Sequence, residues 1–151
     1  MISTWSSFNN YAKAVYENLK HIRTTTTPEY FTALLQLWIF APQYYEHHWA
    51  ELKLGSAQSR ENGNLQTHEG FEGQLDACIN HNATERLNQI RVPVLITVGG
   101  MDIFTPPTFS QIIHERIPKS RLSVYPLGGH VHHWEDLERF NNETLQFFLK
   151  N

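Results

Sequence analysis

The sequence holds a single cysteine, Cys78, among its 151 residues, so no internal disulfide can form. A buried structural thiol in a reducing, cytoplasmic setting is the reading this favours. Long apolar runs are missing as well: the stretch 34–41 already contains Gln36, and a transmembrane helix is therefore not expected. The opening residues Met1-Ile2-Ser3-Thr4-Trp5 lack the basic and apolar regions of a signal peptide. Without such a signal, the N-x-T sequons at Asn82 and Asn142 carry little meaning. Charged residues are scarce at 18%, against a usual share of about 25%. The 12 Lys and Arg face 15 Asp and Glu, a net charge of −3. No nucleic-acid footprint is expected from that balance, nor a membrane partner, and no internal repeat is visible.

What is present suits a folded core. Hydrophobic residues are 40% of the chain and aromatics 13%, and a chain of this length buries roughly 70% of its unfolded surface. Phe8, Ala12, Val15, Tyr16 and Leu19 recur at helical spacing and predict a helix over 9–22. The four threonines 24–27 break it. Pro28 opens a second helix carrying Phe31, Leu34, Leu35, Trp38 and Ile39, with Thr26 and Glu29 spaced as a capping box. A third begins near Pro42 and ends before Gly55, a residue suited to the C′ position. Residues 56–70 are polar and read as a mobile loop. Short helices over 71–80 and 83–89 follow, the second with Asn82 and Glu85 as its capping pair.

From Arg91 the pattern changes. Val92-Pro93-Val94-Leu95-Ile96-Thr97-Val98 is a β-branched and aliphatic run, suited to a strand buried on both faces of a parallel sheet. Then come a helix over 107–116, a second strand over 121–125, and an amphipathic helix capped by Asp136. Strand, helix, strand implies a right-handed parallel crossover. Two parallel strands alone make a poor sheet, so these 60 residues read as the end of a larger α/β sheet.

Ligands in open α/β sheets bind at the carboxyl ends of the strands. Two polar clusters stand there: Gly99-Gly100-Met101-Asp102 through Pro107, and Gly128-Gly129-His130 through Asp136. A carboxylate on one loop and an imidazole on the next can form the acid and base of a nucleophile triad. Each signal alone has a plain structural alternative, an Asx turn for Asp102 and a surface imidazole for His130; together they support each other.

The stretch 90–149 resembles the C-terminal part of an α/β-hydrolase. The resemblance rests on the apolar strand, Gly99-x-x-Asp102, the prolines at 106 and 107, the second strand, Gly128-Gly129-His130, and the run from Glu135 to Phe140. Acid before histidine is also the chain order of that fold. Residues 1–89 resemble the helical cap of such enzymes, nearest to the group of enol-lactone, aminoacrylate and carbon–carbon bond hydrolases. The expected architecture is α/β: a mainly helical cap over 1–89 and a βαβα remnant of a parallel sheet over 90–151. The resemblance implies that His130 is the general base and Asp102 orients it. It also implies a small carbonyl substrate, an ester or lactone, and no cofactor.

The departure is the nucleophile, for G-x-S-x-G occurs nowhere in the chain. The serines are 3, 6, 7, 56, 59, 110, 120 and 123, and none lies between glycines on a strand-to-helix turn. The oxyanion-hole loop is absent too, and Met1-Ile2-Ser3 reads as the residue of a strand preceding the cap. His130-x-His132-His133 is followed by Trp134 and Glu135, which breaks the H-x-H-x-D-H metal pattern, so no metal site is expected. Trp38, Phe104 and Trp134 are the candidate substrate contacts. Three readings stay open: an inactive hydrolase half, a non-catalytic oligomerising or binding module, and one half of a split enzyme. Unpaired apolar edges recruit other chains, so a homo-oligomer through strand 92–98 or the cap helices is expected.

Overall fold

The computed structural model describes residues 1–58 and 66–150. Helix α1 (Asn10–Thr25) starts where Asn9 accepts a hydrogen bond from the Ala12 amide. It runs past Ile22 because the hydroxyls of Thr24 and Thr25 donate back to the His21 carbonyl, a bond that threonine forms on helical backbone. Thr27, not Thr26, caps α2 (Pro28–Ile39), accepting from the Tyr30 amide. Pro28 explains the shift, since a residue before proline is pushed to extended backbone, the conformation an N-cap needs.

The expected third helix is two, α3 (Pro42–His47) and α4 (Trp49–Gln58), separated at His48. Gly55 lies inside α4 rather than at its C′ position, and no described glycine has a positive φ. Of the expected loop 56–70, residues 56–58 and 68–70 are helical and 59–65 lie outside the described residues. Helix α5 (His68–Asn80) is capped by Thr67. A 3-10 helix, Thr84–Gln89, follows without a side-chain cap. Asn82 instead accepts from the Thr84 amide, two residues on, so the expected pairing with Glu85 does not form.

Phe8 and the α1 stripe Ala12, Tyr16 and Leu19 bury against Phe31 of α2, Leu75 of α5 and Phe109 of a later helix. Helices α2 and α4 are joined by a polar contact. Gln36 donates to the Leu52 carbonyl and accepts from the Ser56 hydroxyl. The chain enters and leaves this helical layer side by side: the Ala83 amide donates to the Ser6 carbonyl, and Thr84 bonds both Ser6 and Ser7.

Strands β1 (Val94–Gly99) and β2 (Ser120–Tyr125) pair in parallel from Val94↔Ser120 to Gly99↔Tyr125. Helix α6 (Pro107–Arg116) makes the crossover. Val92 and Pro93, expected within the first strand, stand outside it; the ladder begins at Val94, whose amide donates to the Lys119 carbonyl. Ile96, Ile113, Ile117 and Leu87 form the core beneath this sheet. A four-residue helix, α7 (His132–Glu135), precedes α8 (Leu137–Lys150). The carboxylate of Asp136 accepts from the Arg139 amide, as expected of a cap.

Met1–Ser3 runs along the outer edge of β1 and pairs with it at one bridge. Ile2 bridges Thr97 in parallel, and the Thr97 and Ser3 amides bond across to Met1 and Thr97 carbonyls. The β1 edge expected to recruit another copy is thus covered near Thr97 by the chain itself.

Candidate acid–base site

A glycine pair stands at the end of β1 and another in the loop after β2, and packing dictates both. The Met101 amide donates to the Gly128 carbonyl at 2.9 Å, and the Gly100 amide to the Tyr125 carbonyl at 2.7 Å. A Cβ at Gly99 would overlap the carbonyl oxygens of Gly128 and Gly129, and one at Gly100 would sit 2.7 Å from the Pro126 oxygen. The two loops touch backbone to backbone, so the side chains that follow each of them converge.

Asp102 is 3% exposed. Its Oδ1 accepts from the amides of Phe104 and Thr105 at 2.9 and 2.8 Å. Its Oδ2 lies 3.0 Å from the Thr105 hydroxyl and 3.0 Å from His130 Nδ1. With Nδ1–H donating to the carboxylate, Nε2 is left as the lone-pair nitrogen of the ring. The imidazole remains partly open, with 22% of its side chain exposed. Phe104 sets its edge against the ring at 5.0 Å. Tyr16 stacks on Phe104, and Trp38 meets it edge-on. Burial, then the nearby Cys78 and Asp102, push the Tyr16 phenol up, so it stays protonated.

Four sequence candidates thus come together: Asp102, His130, Phe104 and Trp38. Trp134 does not join them; its side chain is 68% exposed. Trp38 also lines a groove of about 320 Å³ between α1 and α2, with Val15, Leu19, Ile22 and Leu34. A separate cleft of about 430 Å³ is lined by Met1, Ile2, Val92, Val94, Phe140 and Phe148.

Sequence reasoning missed several polar partners. The Thr105 hydroxyl lies within hydrogen-bond distance of Asp102 Oδ2, the Ser3 carbonyl and His130 Nδ1. Its place three residues after Asp102 is the one signal that could have shown it. His132 is fully buried, with Nε2 2.9 Å from the Thr97 hydroxyl and Nδ1 3.3 Å from that of Ser3. Burial lowers it to about 4, so its ring is neutral. Ser3, at φ 38°, is the one described non-glycine residue with positive φ, and its hydroxyl faces His132 rather than His130. Glu135 accepts from the Gly129 amide at 2.6 Å and from the Ala41 amide at 2.7 Å. Among the described residues no three His, Cys, Asp or Glu side chains gather as for a metal, and no helix is long and apolar enough to cross a membrane. Cys78 is half-buried, and burial pushes its thiol up.

No family model matches the chain. It is similar to RutD of Cronobacter turicensis, named as a carbamate hydrolase, with 25% identity over 142 residues. That match covers 94% of this chain and 52% of the relative. The structure of MGS-M2, an α/β-hydrolase enzyme from a Medee basin deep-sea metagenome library, superposes at a TM-score of 0.81 with 20% identity. It covers 97% of this chain, which covers 54% of it. The enol-lactonase of Burkholderia xenovorans LB400 superposes at 0.81 with 17% identity, covering 98% of this chain and 54% of its own. The chain spans about half the length of the relatives it matches.

Proposed function

The chain carries the helical cap and C-terminal strands of the α/β-hydrolase fold, and from that premise we propose that Asp102 and His130 are the acid and base of a Ser-His-Asp hydrolase. The observation that carries this reading is the 3.0 Å contact between a buried carboxylate and a partly open imidazole, on adjoining strand ends of that fold. In the reaction a serine attacks the carbonyl of an ester, a lactone or a similar small substrate, and His130 Nε2 takes the serine proton. Asp102 holds the ring through Nδ1–H and stabilises the imidazolium. His130 then returns the proton to the leaving oxygen. Trp38 both lines the groove between α1 and α2 and meets the Phe104 ring, which supports an apolar substituent on the substrate.

The serine and the oxyanion donors come from a polypeptide bearing the preceding strands, since these 151 residues contain no G-x-S-x-G. The chain by itself is then inactive, and no cofactor or metal enters the chemistry. A single cysteine, with no partner for an internal disulfide, supports a cytoplasmic setting. The unfilled apolar cleft at Ile2 and Phe148 favours a second reading as well, a non-catalytic module that associates through this face.

Hydrolysis of p-nitrophenyl acetate tests the first reading. The chain alone should show no burst and no difference from His130→Ala. Adding a polypeptide with the first strands and serine elbow of an α/β-hydrolase should restore turnover, and His130→Ala or Asp102→Asn should then lower it by about a hundred- to ten-thousandfold, the scale of general acid–base catalysis. Restored turnover indifferent to both substitutions would sink the assignment. A His130-dependent burst from the chain alone would overturn its inactivity.

A further inference from the structure

The backbone on both sides of His130 is tied to the cap. The Gly129 amide donates to Glu135 Oε2 at 2.6 Å, and the Val131 amide donates to the Ile39 carbonyl at 3.2 Å. The other oxygen of Glu135 accepts from the amide of Ala41, at the joint between α2 and α3. The fit is close: a Cβ at Gly129 would stand 2.5 Å from the Ala41 nitrogen and 2.7 Å from the Ile39 oxygen. Bonds from amides to a carboxylate are shorter and stronger than neutral ones. One carboxylate therefore joins the backbone beside His130 to an amide 94 residues away from Glu135 in the chain.

We infer that Glu135 is a positioning residue, whose carboxylate clamps the backbone beside His130 to the α2–α3 joint and so fixes where the imidazole meets Asp102. The inference rests on the acid–base reading of Asp102 and His130. Glu135 reaches the base only through the Gly129 amide, and movement of the cap joint is passed to the base by this bridge. A cap that opened would withdraw an anchor from His130, which links cap closure to assembly of the pair.

The test uses the full chain, labelled with ¹⁵N, and reads the His130 Nδ1 proton together with amide exchange at Gly129 and Ala41. In the parent, the ring proton bound to Asp102 should be a sharp downfield resonance. Glu135→Ala should broaden or remove it and speed exchange at Gly129 by about tenfold or more, the loss of one charge-assisted bond. Glu135→Gln keeps one acceptor oxygen, so it should fold and lose protection at one of the two amides. It answers for the alanine variant if that does not fold. Ala41→Pro attacks the bridge from the cap side. Ala41 has φ −64° and ψ 145°, which proline adopts, and the change removes the amide that Glu135 accepts from. It should perturb the same ring proton. Glu138→Ala, which removes an exposed neighbouring carboxylate, should leave it untouched. An unchanged His130 proton and unchanged Gly129 exchange in Glu135→Gln and Ala41→Pro overturn the inference. Asp102→Asn separates the two readings. If it leaves the ring proton in place the acid–base pair itself is wrong, and if it alone removes the proton then only the role of Glu135 falls.

Discussion

His130 and His132 stand two residues apart in opposite surroundings, one partly open beside a carboxylate, the other buried between two hydroxyls. The buried ring makes the fold acid-sensitive. An unfolded imidazole titrates near 6.5, and burial lowers His132 to about 4 in the fold. Above 6.5 both states are neutral there and pH has no hold on it. Between 6.5 and 4 the unfolded chain takes a proton that the folded chain refuses, so stability is lost as pH falls. The slope approaches about 1.4 kcal/mol per pH unit. His133, lowered by burial, acts in the same direction. Urea midpoints measured from pH 7.5 to 4.5 should fall more steeply for the parent than for His132→Gln, which lacks the titrating ring and starts less stable. Equal slopes would refute the role. Asp102 and His130 were legible in the sequence because each follows a strand behind glycines. Thr105 left only its place three residues after Asp102, and His132 and Glu135 were not legible because their partners Thr97 and Ala41 lie across the fold.

At the scale of elements the glycines divide by what surrounds them. Gly55 and Gly73 lie within α4 and α5 with nothing within 4 Å of a built Cβ. Alanine should stabilise each helix by up to about 1 kcal/mol through propensity alone. Gly99 and Gly129 meet backbone atoms of the facing loop and of the cap joint. Alanine there should destabilise by about 1–3 kcal/mol or more, since backbone cannot step aside as a side chain does. Thermal unfolding of the four single variants should give two upward and two downward shifts; a loss at Gly55 or a neutral Gly129→Ala would contradict these environments. The same contrast explains what was readable. Helix α6 stands where expected, Pro107 to Arg116, because proline starts it and apolar spacing carries it. Gly55 misled because a glycine stops a helix only where the chain turns to positive φ, and here the helix continues. The break at His48 has no proline or glycine to announce it.

For the whole molecule the decisive feature is a face without a covering layer. Met1–Ser3 pairs with β1 at a single bridge, Ile2 to Thr97, and the cleft of about 430 Å³ next to it reaches Phe140, Phe147 and Phe148 of α8. No residue of α8 is buried, and Phe148 is 73% exposed. The amphipathic pattern of α8 was plain in the sequence, but which surface it serves could not be read, because periodicity marks an apolar stripe and not its partner. Apolar area of this kind associates. The chain should therefore self-associate, with a sedimentation coefficient that rises with concentration. Ile2→Lys with Phe148→Lys should abolish the rise while leaving the cap helices folded. A polypeptide that supplies the missing strands must use the same face, so it should dissolve the homo-oligomer as it restores hydrolysis, and the two titrations should share one midpoint. A cooperatively folded monomer at all concentrations would remove self-association. Turnover restored without loss of the oligomer would place the docking of that polypeptide on another surface.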